Sequence, residues 1–123
     1  MNTVLWIIQI LLALMFLFHG RMMLSPPASA QQGMMAYIMA IPEGFRRFIG
    51  VMEILAGIGL ILPALTGVLP WLTPLAAVGL VILMIGAAIF HIPRKEYPNI
   101  VFNLILLALA AFVAYGRFVL VPF

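Results

Sequence analysis

The chain contains no cysteine and no aspartate, and its only acids are Glu43, Glu53 and Glu96. Without cysteine, disulfides, thiol redox chemistry and thiolate-bound clusters are excluded within it. Glu43 and Glu96 fall at expected helix ends, so a catalytic carboxylate pair in the apolar interior is not expected. Charge of either sign is scarce. Charged residues make up 7% of the chain, against roughly 25% in a soluble domain. The six cations are Arg21, Arg46, Arg47, Arg94, Lys95 and Arg117. They form no long run and no aromatic platform lies among them, so the basic balance does not point to nucleic acid.

Apolar residues are what is abundant. At 67% of 123 residues, they exceed what a soluble core of this size can bury, which makes the chain an integral membrane protein. Proline divides it into four spans, at about 3–24, 42–62, 74–91 and 98–120, within a single transmembrane domain over 1–123. Each is close to the roughly 20 residues that cross a bilayer. Proline suits a first helical turn, so Pro42 opens the second span, and Thr73 caps a third whose first residue is Pro74. The second ends near Pro63. Short second and third connections make neighbours antiparallel. The expected fold is all-α, an integral membrane four-helix bundle running up-down-up-down. The longer first connection holds "GMMAYIMAI", which suits an interfacial segment, a re-entrant one or a cap over the bundle mouth. "SPPASAQQ" resembles a signal-peptidase site, but no Lys or Arg precedes the first apolar stretch, so an uncleaved first span is expected.

Five cations flank the first and third connections, and Arg117 alone lies at the other end. The positive-inside rule then sets those connections in the cytoplasm and both termini outside, as in a bacterial inner membrane. Trp6, Trp71, Tyr115 and Arg117 become outer interface anchors, with Tyr37 and Tyr97 at the inner interface.

Within the second span, Arg46, Gly50, Glu53 and Gly57 share one stripe. The two glycines admit a close neighbour, so Glu53 faces protein; facing lipid would cost roughly 2.5–3.5 kcal/mol. Glu53 lies about 10 Å beyond Arg46 at ~1.5 Å per residue. Asn103 enters the fourth span from the same side, and His19 and His91 end the two spans that descend toward it. These residues form the expected ligand-binding or proton-linked set: Glu53, His91, Asn103, His19 and Arg46. Glu53 is expected within reach of Asn103 or a histidine, and Arg46 is a poor direct partner because its side chain leans toward the helix start. A metal site is not expected, since two histidines without a CxxC or HExxH pattern make a poor constellation. Gln9 reads as a packing hydrogen bond. The methionines Met22, Met23, Met34, Met35 and Met39 read as adaptable packing. Gly79 and Gly86, and Ala110 and Ala114, are spaced for close helix contact, within the bundle or against a partner.

"LLALMFLFHG", "FIGVMEILAGIGLILPALTGVLPWLTPLAAVGLVILMIGAAIFHIPRKE" and "NLILLALAAFVAYGRF", in this order and spacing, resemble the DoxX-like family of small four-helix membrane proteins. The resemblance implies a four-helix bundle, and Glu53, His91, Asn103 and the Tyr115-Gly116-Arg117 ending match the family pattern. It implies no single reaction. Some relatives are associated with thiosulfate:quinone oxidoreduction, and a distant branch acts as a receptor-assembly chaperone. Relatives often carry a lysine about where Met23 sits; Arg21, two residues earlier, occupies a different face. The leading expectation is a protein that binds a small lipophilic molecule such as a quinone, or an accessory subunit of a membrane oxidoreductase. No electron carrier is visible in the chain, so a redox role needs a partner. Two other classes fit: a structural or assembly subunit or chaperone of a larger membrane complex, and a proton-coupled small-molecule transporter acting as a homo-oligomer, namely a dimer.

Overall fold

A computed structural model describes residues 1–31 and 33–123. Gln32, which would suit a labelling site in the first connection, lies outside the described residues, as do the side chains of Gln31 and Met34. The chain is an all-helical membrane bundle. Its long helices are α1 (Asn2–Leu24), α3 (Glu43–Thr66), α4 (Leu72–His91) and α5 (Tyr97–Tyr115), with a short α2 (Tyr37–Ala40) in the first connection. All four long helices are apolar enough to cross a membrane, the last continuing through a π-helical turn at Gly116–Leu120.

α1 packs chiefly on α3, α4 on α5, and the two pairs meet along α3 and α4. The α1–α3 seam is made by glycine. A Cβ on Gly50 would stand 2.8 Å from the Gly20 carbonyl oxygen, and one on Gly20 would stand 2.8 Å from that of Gly50. About two turns further on, Gly57 lies against Ala13 and Leu17. The glycine stripe of the second span therefore does admit a neighbouring helix at backbone distance. Of the two contacts expected for Gly79 and Gly86, within the bundle or against a partner, the first is not made: a Cβ on either meets nothing within 4 Å. Small residues permit close approach without compelling it.

Pro63 does not end α3, which runs three residues further to a left-handed Gly67 cap. Proline has no N–H to donate to the carbonyl four residues back, which leaves Gly59 O free. Thr73 Oγ1 donates to that oxygen at 2.9 Å. Thr73 is thus not the α4 cap, which is Trp71; its hydroxyl ties α4 to α3. On the next carbonyl, Leu60 O accepts from Gln9 Nε2 of α1 at 2.7 Å.

Arg117 is also misplaced by the sequence. It is not an exposed anchor but 2% accessible. Its Nε donates to Gln9 Oε1 at 2.7 Å, and Nη1 donates to Asn2 Oδ1 at 2.8 Å and Val121 O at 3.1 Å. The Trp6 and Phe123 rings flank its guanidinium. The wider turn after Tyr115 carries the side chain inward, and Gly116 lets that turn close on Leu5. Trp71, Tyr97 and Tyr115 do project outward. Between the ends lies a dry core that includes Leu12, Phe16, Leu60, Leu80, Leu106 and Val113.

The described residues of the first connection fold as a cap. Two 3₁₀ turns (Ala28–Gln31 and Gly33–Met35) precede α2. Ala30 and Ile38 are fully buried against Met22 and Met23, with Met35, Tyr37 and Ile49 around them.

Candidate functional site

The glycine crossing fixes what Glu53 meets. Gly20 and Gly50 set α1 and α3 at backbone contact, so the residue before Gly20 comes level with the residue three beyond Gly50. His19 Nδ1 lies 2.6 Å from Glu53 Oε2. His19 Nε2 lies 2.5 Å from the Tyr37 hydroxyl on α2. Glu53 is 2% exposed, while His19 keeps 22% of its side-chain surface. Of the two partners expected for Glu53, a histidine is the one it has; Asn103 is not bonded to it, and neither is Arg46.

Burial, then the charges of Glu53 and Glu96, push the Tyr37 phenol above its ordinary value. Tyr37 therefore stays an O–H. With Glu53 ionised, one assignment satisfies every atom: Tyr37 O–H donates to His19 Nε2, and His19 Nδ1–H donates to Glu53. The phenol oxygen then keeps its lone pairs for another donor. Tyr37 is the member that sequence reasoning assigned only to the interface.

A second polar group sits across Tyr37. The His91 ring meets the Tyr37 ring edge-on, with centroids 4.7 Å apart. His91 is 3% exposed and its Nδ1 lies 2.9 Å from Glu96 Oε1, which also accepts from Arg94 Nε at 2.7 Å. Burial pushes the Glu96 carboxyl up, but hydrogen bonds from Arg94 and His91 outweigh it and hold the group below the usual carboxylate range. An ionised Glu96 makes His91 Nδ1 the proton-bearing nitrogen.

Both groups border one cavity of about 400 Å³, within the ~300–1,000 Å³ of small-molecule sites. Its polar lining is His19, Tyr37, Glu53, His91 and Asn103; its apolar walls include Met15, Phe16, Met23, Phe48, Ile82 and Phe90. Asn103 is 8% exposed, and its Nδ2 has no hydrogen-bond partner among the described residues. Such a donor is costly to leave unpaired. Gly86, open at its Cβ, lies on the cavity's edge. The cavity opens sideways between α3 and α4, where its rim residues Phe45, Phe48 and Ile82 are 60%, 56% and 64% exposed. Met23, where relatives often carry lysine, lies in the cavity wall, whereas Arg21 is exposed and outside it. Arg46 is buried but does not line the cavity.

The structure thus gathers four of the five expected residues, Glu53, His19, His91 and Asn103, around one space, adds Tyr37, and leaves Arg46 apart. Comparison with known proteins returned one family model, described as the DoxX-like family, over residues 7–113. No curated protein and no solved structure matches the chain.

Proposed function

The chain belongs to the DoxX-like family, and from that premise we propose that its cavity binds a small lipophilic molecule bearing a carbonyl or hydroxyl, of the quinone or hydroquinone type. One observation carries this reading: Asn103 lies on the wall of the cavity, buried, and its Nδ2 has no hydrogen-bond partner among the described residues. Buried donors are almost always bonded, so the missing partner is an oxygen of a guest. Across the cavity, the Tyr37 oxygen accepts from a guest hydroxyl while Tyr37 itself donates to His19. The sideways opening supports entry from the bilayer rather than from water, with any apolar tail left among lipid chains. Binding and proton exchange are what these side chains can do. Moving electrons requires a donor or acceptor from a partner subunit.

Asn103→Leu separates a ligand role from a structural one. If Nδ2 serves a guest, its removal leaves the empty protein as stable as wild type or more so, because an orphaned donor has gone. Decylubiquinone, titrated against the purified protein, should then bind roughly 5- to 100-fold more weakly, the equivalent of ~1–3 kcal/mol. A variant that loses stability and keeps its affinity would overturn the proposal.

We assign the cavity end to the cytoplasmic side of a bacterial inner membrane, because five of six cations lie at that end. Ser29 and Thr66 are exposed at opposite ends of the bundle. With single cysteines there, a membrane-impermeant maleimide applied to intact cells should label Thr66→Cys and spare Ser29→Cys. Labelling of Ser29→Cys alone would invert the orientation.

A further inference from the structure

Two buried cations join no ion pair among the described residues: Arg117, whose guanidinium is held by neutral oxygens, and Arg46, for whose side chain no hydrogen bond is seen. Arg46, in the first turn of α3, is 7% exposed. Its Nε has no hydrogen-bond partner, and it joins no ion pair among the described residues. Every other described acid is engaged. Glu53 holds His19, Glu96 holds His91 and Arg94, and Glu43 pairs with Arg47 at 3.0 Å on the exposed face. A buried N–H donor left without an acceptor is unfavourable, and natural structures rarely keep one.

A second feature at the same place points the same way. α3 begins at Glu43 with Pro42 as its N-cap and no side-chain cap. The first intrahelical bond is that of Arg46 N to Pro42 O, so the N–H groups of Glu43, Gly44 and Phe45 precede it without one. Free N–H groups and the helix dipole together favour an anion. Gly44 has nothing within 4 Å of where a Cβ would stand, so the backbone there is open to close approach. An arginine side chain leans toward its own helix start, the end at which these N–H groups lie. Arginine's planar fork suits phosphate oxygens.

We infer that Arg46 and the first turn of α3 form a phosphate-binding site, beside the cavity rim at Phe45, occupied by the headgroup phosphodiester of an anionic lipid in the leaflet facing the cation-rich end. The alternative source of the same chemistry is free inorganic phosphate. The inference does not depend on the ligand proposed for the cavity.

The test uses the full chain extracted in mild detergent. It is exchanged into equimolar phosphatidylglycerol and phosphatidylcholine, and retained lipid is counted by native mass spectrometry. Wild type should retain phosphatidylglycerol at least fivefold over phosphatidylcholine. Arg46→Gln should abolish that preference, and Arg46→Lys should keep part of it. Arg47→Gln, on the exposed neighbour, should leave it unchanged. Thermal stabilisation of wild type, but not Arg46→Gln, by 10 mM inorganic phosphate without lipid preference would support the site with free phosphate as occupant. Equal retention of both lipids with no phosphate effect would overturn the inference, as would an equal loss in Arg47→Gln. Should Arg46→Gln fail to fold, Arg46→Lys and Arg47→Gln still decide between these outcomes.

Discussion

Gly50→Leu is expected to leave no folded monomer. The position has no room for any side chain: the Gly20 carbonyl oxygen stands 2.8 Å from where a Cβ would be, and Met23 and Leu24 follow at 3.0 and 3.2 Å. The first obstacle is backbone, so no rotamer change relieves it. Overpacking in cores typically costs about 1–3 kcal/mol, and here relief requires two helices to part along their whole contact. In a membrane that contact is held by van der Waals packing rather than by the hydrophobic effect, so little remains once it opens. The site fails with the seam, because Glu53 and His19 are carried by the same crossing. Gly86→Leu is the matched control, since nothing lies near its Cβ. Size-exclusion profiles and thermal unfolding in detergent should show aggregation or loss of the Gly50 variant and a monodisperse Gly86 variant. A Gly50→Leu protein with wild-type stability would mean that α1 and α3 do not cross there.

Glu53 is where the largest functional effect is expected, and two substitutions divide its roles. Glu53→Leu removes the acceptor of His19 Nδ1, at a cost of about 1–3 kcal/mol for an unsatisfied buried group. His19 and Tyr37 then lose their fixed orientation. Glu53→Gln is milder in structure and more telling. The glutamine amide offers His19 Nδ1 either its oxygen or its nitrogen, so both imidazole tautomers become available. An ionised carboxylate accepts only. With Glu53 ionised, Nδ1 carries the proton, Nε2 accepts from Tyr37, and the phenol oxygen is left as an acceptor toward the cavity. That orientation favours a ligand hydroxyl over a carbonyl. Glu53→Gln should therefore fold with near wild-type stability yet lose about tenfold in preference for decylubiquinol over decylubiquinone, the effect of one hydrogen bond near 1.4 kcal/mol. Titrating each form against each variant checks it. An unchanged preference would remove Glu53 from the orienting role and leave it a structural acid.

Much of the bundle was legible because a bilayer makes strong demands. Spans must be long and apolar, and proline marks several of their ends, though Pro63 does not stop α3. Glu53 could be set inside because its own helix supplied the argument, a glycine stripe on the same face. What failed was whatever depends on which residue of another helix comes level. The partner of Glu53 was left between Asn103 and a histidine, since the Gly20–Gly50 crossing that selects His19 exists only in three dimensions. Tyr37 was missed because a four-residue helix has no periodicity to read, and an apolar connection with one tyrosine resembles an interface. Thr73 looked like a cap because it precedes a proline; its actual acceptor exists because another proline, ten residues earlier, donates nothing. Arg117 looked like an anchor because it sits at a helix end, where only the wider turn shows that it points inward.

The clamp at the Arg117 end has a consequence for sidedness. There, Arg117, Gln9 and Thr73 join α5 to α1, α1 to α3 and α3 to α4, above a dry, closed core. At the other end the same helices spread around the cavity, whose polar groups continue through His91 to Glu96, which is 19% exposed. Among the described residues, the polar side chains that border the cavity lie toward this end, and a proton exchanged there would meet them on this side. Whatever cycle runs there would return its protons to the compartment that supplied them. Its proton steps would by themselves carry no charge across the membrane, and a membrane potential would neither drive nor oppose them.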